Sequence, residues 1–442
     1  MRNKNVLKIT GLTIIICIIG ASTTTVSGRV IKSDAQKDVK LQDPTNNAPW
    51  TAMCYWIGDL TVNIGDERNI PGDRGLLRNM NNLELSGSNS EVNIVVQADD
   101  YRMWGGPNGD NSTRRYFIKY DENIDKLANY TLNEDMWYLE EKNMGDPHNL
   151  IDFINWATTD YPAENYFLML FSHGAGWIGM CQDESSGNTL DPDAIIDITE
   201  LETALLSCVH LDVLFTYGCH MGQTEVYYEL KDCADIILSG ESTMGPGGDM
   251  IRNVFIELTS NPQMTPAELA QIFVDNYIYG IENNASPLFG IHSKDMVNIV
   301  KAVDNFAKAI IKQYKSAPLR TRLMLFTAFR HSTMILYFDK FNQKDPFAHE
   351  LYEFAEKICD LTKNKVKCSM LYNAASEVLS VIDSSSILTR TENPNYFFHG
   401  MSIYSPPIKL IYRVTKNKYK LTDFAQDTSW DEFLNLYYFR SC

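Results

Sequence analysis

The stretch YFLMLFSHGAGWIG (166–179) decides how the chain is to be read. An apolar run suited to a buried strand ends at Ser172-His173 and enters Gly174-Ala175-Gly176-Trp177-Ile178-Gly179, a G-x-G-x-x-G pattern. Two readings compete. In a dinucleotide loop the glycines open a helix whose N-terminus faces the pyrophosphate. Here the sequel, MCQDESSGNTLDPD (180–193), is polar, broken by Gly187 and Pro192, and without helical periodicity. Bulky Trp177 also sits inside the turn. The pattern therefore fails its own structural context. What remains is a sharp turn that lets backbone approach a substrate closely. It leaves His173 at the carboxyl end of a core strand, where ligands bind in open α/β sheets.

A partner for His173 follows 46 residues later. LDVLFTYGCHMG (211–222) repeats the arrangement: an apolar strand, Gly218, then Cys219, with a helical pattern beyond. If the two strands are parallel neighbours, both side chains arrive at one edge. A helix N-terminus and a nearby imidazolium would give Cys219 thiolate character, and a thiol beside a general base is the arrangement of a cysteine nucleophile. The N–H groups of Gly174 and Cys219 are then candidates to hold an oxyanion. On spacing alone, a buried cysteine and a structurally satisfied histidine explain the same pattern.

The surrounding chain supports an α/β fold. WTAMCYWI (50–57), EVNIVVQAD (91–99), YFLMLFS (166–172), LDVLFTYG (211–218) and ADIILSG (234–240) read as core strands, and RRYFIKY (114–120) as a hairpin edge. Residues 149–161, 198–206 and 223–233 read as helices, the second with Thr199 and Glu202 resembling a capping box. Strands alternating with helices imply βα units and a mostly parallel sheet covered on both faces. After about residue 290 the rhythm changes: 295–314 and 352–361 are amphipathic helices, and 398–413 reads as strands around Pro406-Pro407. The expected division is 1–28, 29–48, 49–290 and 291–442, the last an α+β extension.

Composition narrows the function. The chain has 442 residues, is 44% hydrophobic and carries a net charge of −17. A core is affordable, and nucleic-acid binding, which needs a basic surface, is disfavoured. Arg2, Lys4 and Lys8 precede the apolar run 11–21 and the small polar residues STTTVSG (22–28). This is the layout of a secretory signal, so 1–28 is expected to be removed, 29–48 to be a linker or pro-segment, and the membrane to matter only before cleavage. Of nine cysteines, Cys17 would leave with the signal. Seven remain if one of the other eight is a nucleophile, an odd number that prevents complete pairing. Cys359 and Cys368 are close enough in sequence to pair. No C-x-x-C supports a zinc site, and no metal ligands are assigned. Sequons occur at Asn111, Asn129 and Asn284.

PWTAMCYWIGD (49–59), VNIVVQAD with RRYFI after it, NMGDPHNLIDFINW (143–156), NYFLMLFSHGAGWIG (165–179) and GCHMGQTEVYYELKDCADIILSGE (218–241) occur in this order. Together they resemble the clostripain family of cysteine peptidases, within the caspase-like clan. The resemblance covers nearly half the chain. It implies a caspase-like α/β/α sandwich over 49–290 and a catalytic dyad of His173 and Cys219. It also implies protein or peptide substrates, chemistry that requires no cofactor, and calcium for those members that depend on it.

The sequence also departs from the family pattern. Where the family carries D-A-C-L-M, this chain has Tyr217-Gly218-Cys219-His220-Met221. The missing aspartate, which helps bind a basic P1 side chain in the family, is replaced by Tyr217. A desolvated Arg or Lys without a carboxylate partner costs several kcal/mol, so a preference other than Arg/Lys is expected unless Glu241 or Asp249 supplies the charge. Family members often cut themselves between the His and Cys strands after a basic residue, and this chain has no Lys or Arg between Lys142 and Lys231. His220 is a candidate second base, Cys181 a redox partner, Asp183 and Glu184 an orienting or calcium-binding pair, and Trp50 and Asp59 core or rim positions. The altered residues around Cys219 also suit a catalytically inactive binding or adhesion protein on the same scaffold.

Overall fold

The computed structural model describes residues 47–58, 75–99, 112–124, 126–128, 130–183, 195–245, 249–277, 287–335, 348–389 and 398–439. The expected signal segment, nearly all of the 29–48 segment, Asp59, Glu184 and the three sequon asparagines lie outside them.

The main sheet takes β1 (Ala48–Ile57), β2 (Val92–Asp99), β3 (Arg114–Phe117), β4 (Met136–Tyr138), β5 (Ala163–Phe171), β6 (Leu211–Tyr217), β7 (Ala234–Gly240) and β8 (Leu288–His292), in the spatial order β4-β3-β2-β1-β5-β6-β7-β8. The five central strands are mutually parallel, and β3, β4 and β8 add antiparallel edges. Strand β1 explains why both faces must be covered. Met53, Tyr55 and Ile57 enter one core, while Trp50, Ala52, Cys54 and Trp56 enter the other. This is the period-two alternation of a pleated strand with two apolar sides.

The first core is covered by α2 (Pro147–Asp160), α3 (Ile198–Leu206) and α4 (Thr224–Glu229). The opposite core takes α1 (Gly75–Glu84), α5 (Met250–Ser260) and α6 (Pro266–Asn276). Helix α2 starts where the NMGDP motif dictates: Asp146 is its N-cap, accepting the His148 N–H, and Pro147 occupies the first turn. The cap of α3 differs from the expectation. Asp197 and Glu200 form the capping box, two residues upstream of Thr199 and Glu202, because Asp197 is the last residue with extended backbone.

The remaining elements are α7 (Met296–Ser316), α8 (Pro318–His331), β9 (Met334–Ile335), β10 (Ala348–Glu350), α9 (Leu351–Thr362), α10 (Ser369–Ser384), β11 (Ser402–Tyr404), α11 (Lys409–Tyr419), α12 (Asp423–Asp427) and α13 (Trp430–Phe439). Strands β9 to β11 form a small antiparallel sheet, and the helices extend the core that α2, α3 and α4 begin. The strand reading of 398–413 holds only for Ser402–Tyr404. Beyond the prolines the chain is helical, burying Ile411, Tyr412, Thr415 and Tyr419 at helical spacing. Among the described residues no helix is long and apolar enough to cross a membrane.

The C-terminal elements grip the end of the sheet where β5 and β6 finish. The Ser402 N–H donates to the Gly222 carbonyl at 2.9 Å, and the Thr224 hydroxyl donates to the Ser402 carbonyl at 2.8 Å. Three buried carboxylates add to this. Glu225 accepts the Tyr404 N–H at 3.0 Å and the Tyr419 hydroxyl at 2.8 Å, Glu229 the Phe424 N–H at 2.9 Å, and Glu241 the Gly400 N–H at 2.6 Å.

Burial pushes Glu225 up from 4.5 to about 7. The folded protein therefore holds a proton that the unfolded chain releases above its ordinary carboxyl value, and this contribution to stability declines as pH rises from about 4.5 to 7. The size of the effect is on the order of 3 kcal/mol. Glu225→Gln keeps an acceptor without the charge. Its urea midpoint is expected to change less than wild type between pH 5 and pH 7.5, and an identical pH dependence in both proteins would refute the assignment.

Candidate active site

Strands β5 and β6 run parallel in a register that pairs Phe171 with Tyr217. His173 and Cys219 each lie two residues beyond that pair, so the register delivers both to the carboxyl edge of the sheet. The Ser172 N–H still reaches the Tyr217 carbonyl at 3.4 Å. His173 and Cys219 are both half-buried. The turns that follow touch through their backbones: a Cβ added to Gly174 would stand 2.5 Å from the Cys219 carbonyl oxygen and 2.9 Å from Met221 Cγ. Glycine is required there by proximity, and the candidate oxyanion donors Gly174 and Cys219 lie on these contacting turns.

Gln223 ties the turns together at a second point. It is fully buried, and its Oε1 accepts the Trp177 N–H at 3.0 Å. Gly176 has φ +58, and a Cβ there would fall 2.4 Å from that same oxygen. Trp177 packs against Tyr404 and Tyr419 at ring separations of 5.1 and 5.0 Å. The His173 turn, the Cys219 turn and the C-terminal region thus hold one another. The sequence reading missed Gln223. It stands four residues after Cys219, but its partner lies in the turn beyond β5, which no strand pairing predicts.

The Cys219 environment differs from the expectation of a preformed thiolate. Helix α4 begins only at Thr224 and has six residues, and burial raises the thiol above its ordinary value against weaker backbone hydrogen bonds from Met244 and Cys219 itself. The sulfur accepts the Met244 N–H at 3.4 Å and faces the Met244 carbonyl at 3.7 Å. The next residue, Gly245, is fixed by two tyrosines. Its carbonyl accepts the Tyr217 hydroxyl at 2.9 Å, and its N–H donates to the Tyr277 hydroxyl at 2.9 Å.

The other candidates fall elsewhere. Tyr217 is buried, with its ring edge-on to Tyr277. Glu241 is fully buried on the Gly400 N–H, raised by burial and then by the neighbouring Glu350. Asp249 precedes α5 and pairs with Arg252 at 2.9 Å and Arg78 at 3.5 Å. His220 is buried with φ +64, and burial lowers it to about 4. Cys181 is also buried, with φ +63. Asp183 accepts the Met144 N–H at 2.7 Å, which links it to the NMGDP motif. Trp50 is a core residue whose indole donates to the Met264 carbonyl. Cys359 and Cys368 do not pair: the described cysteines are all free thiols, and Cys359 lies 3.3 Å from the Ser376 hydroxyl.

Residues 77–437 match the model of the clostripain family, peptidase C11. The chain belongs to the clostripain family. Clostripain of Hathewaya histolytica is 21% identical over 309 residues, which cover 60% of this chain and 58% of clostripain. The chain thus spans somewhat over half the length of that curated relative. An inactive zymogen C11 protease from Parabacteroides distasonis is similar in fold, with a TM-score of 0.57 and 16% identity over 87% of this chain and 99% of that one. A secreted C11 cysteine protease from Bacteroides thetaiotaomicron, solved with an irreversible peptide inhibitor, has a TM-score of 0.55 and 16% identity over 88% of this chain and 99% of that one. The caspase-like sandwich expected from the motifs is the fold observed.

Gly174→Ala is expected to force the two turns apart and cost about 1–3 kcal/mol, read as a lower urea midpoint at unchanged slope. An alanine accepted there without loss would mean that the turns are not in contact in solution.

Proposed function

We propose that the protein is a secreted cysteine endopeptidase that uses a Cys219–His173 dyad and accepts protein or peptide substrates. The observation that carries this reading is the β5–β6 register, which brings both residues to one edge with their turns in contact. Family membership supports the reaction class, and the N-terminal sequence together with a secreted relative supports export.

In this mechanism the thiol rests neutral, in keeping with its burial. As the scissile carbonyl approaches, Cys219 transfers its proton to His173 and Sγ attacks the carbonyl carbon. The tetrahedral oxyanion takes hydrogen bonds from the Gly174 and Cys219 N–H groups. His173 then gives its proton to the departing amine, leaving a thioester. Water, deprotonated by His173, attacks the thioester and releases the acid and the restored thiol.

For P1, we propose an uncharged side chain. Tyr217 stands where the family's aspartate would be, and its hydroxyl is committed to Gly245. Glu241 is buried against Gly400, and Asp249 already faces two arginines. The second reading, an inactive binding protein, draws on the Met244 backbone that brackets the Cys219 sulfur.

Two measurements separate these readings. A thiol-reactive peptidyl inhibitor under reducing conditions is expected to leave one adduct, on Cys219, by mass spectrometry. A peptide library is expected to show cleavage after uncharged residues, with a loss of at least about a thousandfold in Cys219→Ala. No cleavage and no adduct from folded protein would favour the binding protein, and cleavage confined to Arg or Lys would overturn the P1 assignment.

A further inference from the structure

Away from the His173–Cys219 edge, α7 and α10 run antiparallel. Asn305 donates to the Glu377 carboxylate at 3.3 Å, and farther along α7 Lys312 lines one cleft with Met370. The end of α7 therefore lies beside the start of α10, and the α7–α8 and α9–α10 turns meet at one end of the helical region. Apolar side chains stand out there. Val366 is 88% exposed, Leu319 73% and Leu323 67%, and Leu319, Leu323 and Phe326 follow one face of α8. Single exposed apolar residues are ordinary, but several gathered in one place mark a contact surface. Positive charge is interleaved with them. Lys312, Lys315, Arg320 and Arg322 come from the α7–α8 side, and Lys363, Lys365 and Lys367 from the α9–α10 side. No acidic residue occurs in 305–335 or in 361–376, although the chain as a whole carries −17. The flanking acids Asp304 and Asp360 face Lys308 and Lys357. Lys365 donates to the Leu361 carbonyl. Among the described residues the other six cations make no ion pair.

We propose that this end of the helical region docks on an anionic lipid membrane surface. Side chains exposed to this degree project from the protein, whereas the walls of a groove would cover them. A lipid layer yields to such projections. It takes the apolar side chains below the headgroups, while the lysines and arginines meet the lipid phosphates. The charge is opposite in sign to that of the lipid, and no internal ion pair of the six cations has to be broken on docking. This contact belongs to the folded chain and is separate from the N-terminal segment 1–28. It would concentrate the protein at such a surface whether or not the dyad is active.

The test is vesicle sedimentation of the exported form, residues 29–442, so that the apolar 11–21 run does not itself bind lipid. Its readout does not involve peptide cleavage. The protein is expected to sediment with vesicles of equimolar phosphatidylglycerol and phosphatidylcholine, and to stay in the supernatant with phosphatidylcholine alone. Binding should fall as salt rises from about 0.1 to 1 M, which shortens the Debye length from about 10 to 3 Å. Arg320→Gln with Arg322→Gln should weaken partition by about tenfold or more, as should Lys363→Gln with Lys367→Gln in the other turn. Leu319→Gln with Leu323→Gln should also weaken it by about tenfold or more. These sites are exposed and glutamine is a good helix former, so melting temperatures are expected to stay unchanged. Arg413→Gln with Lys416→Gln removes the same charge from α11 and should leave partition nearly unchanged. No sedimentation with anionic vesicles, equal binding to neutral ones, full binding by the leucine pair or by both basic pairs, or an equal loss in the α11 pair would overturn the proposal. So would lipid-free dimerisation abolished by the leucine pair, which would assign the face to a second copy.

Discussion

The end of the sheet where the His173 and Cys219 turns meet depends on buried carboxylates answered by backbone N–H groups. Glu225, Glu229 and Glu241 all follow Cys219 within a short stretch, and each takes an N–H from residues 400–424. A buried carboxylate without a cation is costly unless it is hydrogen-bonded or protonated, and the raised titration of all three shows how weakly their charge is supported. Remove the C-terminal elements and these acids lose their donors, while the Gly222 carbonyl loses the Ser402 N–H. The residues after 290 are therefore structural necessities for the residues around 219, whatever else they do. Strand β11 is short because its work is to supply a few main-chain partners at fixed heights, flanked by the Trp177–Tyr404–Tyr419 aromatic cluster.

Much of the central fold was legible in the sequence because a strand buried on both faces writes itself as a continuous apolar run. Segments 50–57, 91–99, 166–172, 211–218 and 234–240 correspond to the five parallel strands within a few residues. The misreadings have physical causes. Pro406-Pro407, with aromatic and β-branched neighbours, resembles an edge strand, yet Ile411, Tyr412, Thr415 and Tyr419 carry the helical spacing that burial in α11 rewards. In α3, Thr199 and Glu202 have the right separation for a capping box, but the cap goes where the backbone turns extended, at Asp197.

At the candidate site, legibility follows strand pairing. That the turns after β5 and β6 meet at one edge could be anticipated because parallel neighbouring strands place their ends together. The brace at Gln223 and the burial of Glu241 could not, since their partners are set by how the C-terminal region and the His173 turn fold back. Glu225 is the intermediate case. It lies within the quoted 218–241 stretch, but only the Tyr404 and Tyr419 contacts give the glutamate a physical reason.

The replacement of the family's aspartate by Tyr217 has two physical consequences. On the proposed reading it removes a charge that would face a basic P1 group, and it adds a hydroxyl that holds Gly245. Tyr277 holds the same residue from the other side, so the preceding residue, Met244, is fixed with its backbone against the Cys219 sulfur. An aspartate has too short a side chain to make that strut and would lie against the Phe171, Phe215 and Tyr277 rings that now surround Tyr217. Its desolvation in such aromatic surroundings would have to be offset by a bound cation. On the proposed reading, then, the aromatic wall and the loss of the acid belong together. Once Tyr217 packs into this cluster, an uncharged P1 side chain is the one that does not have to leave its own charge unanswered beside the nucleophile.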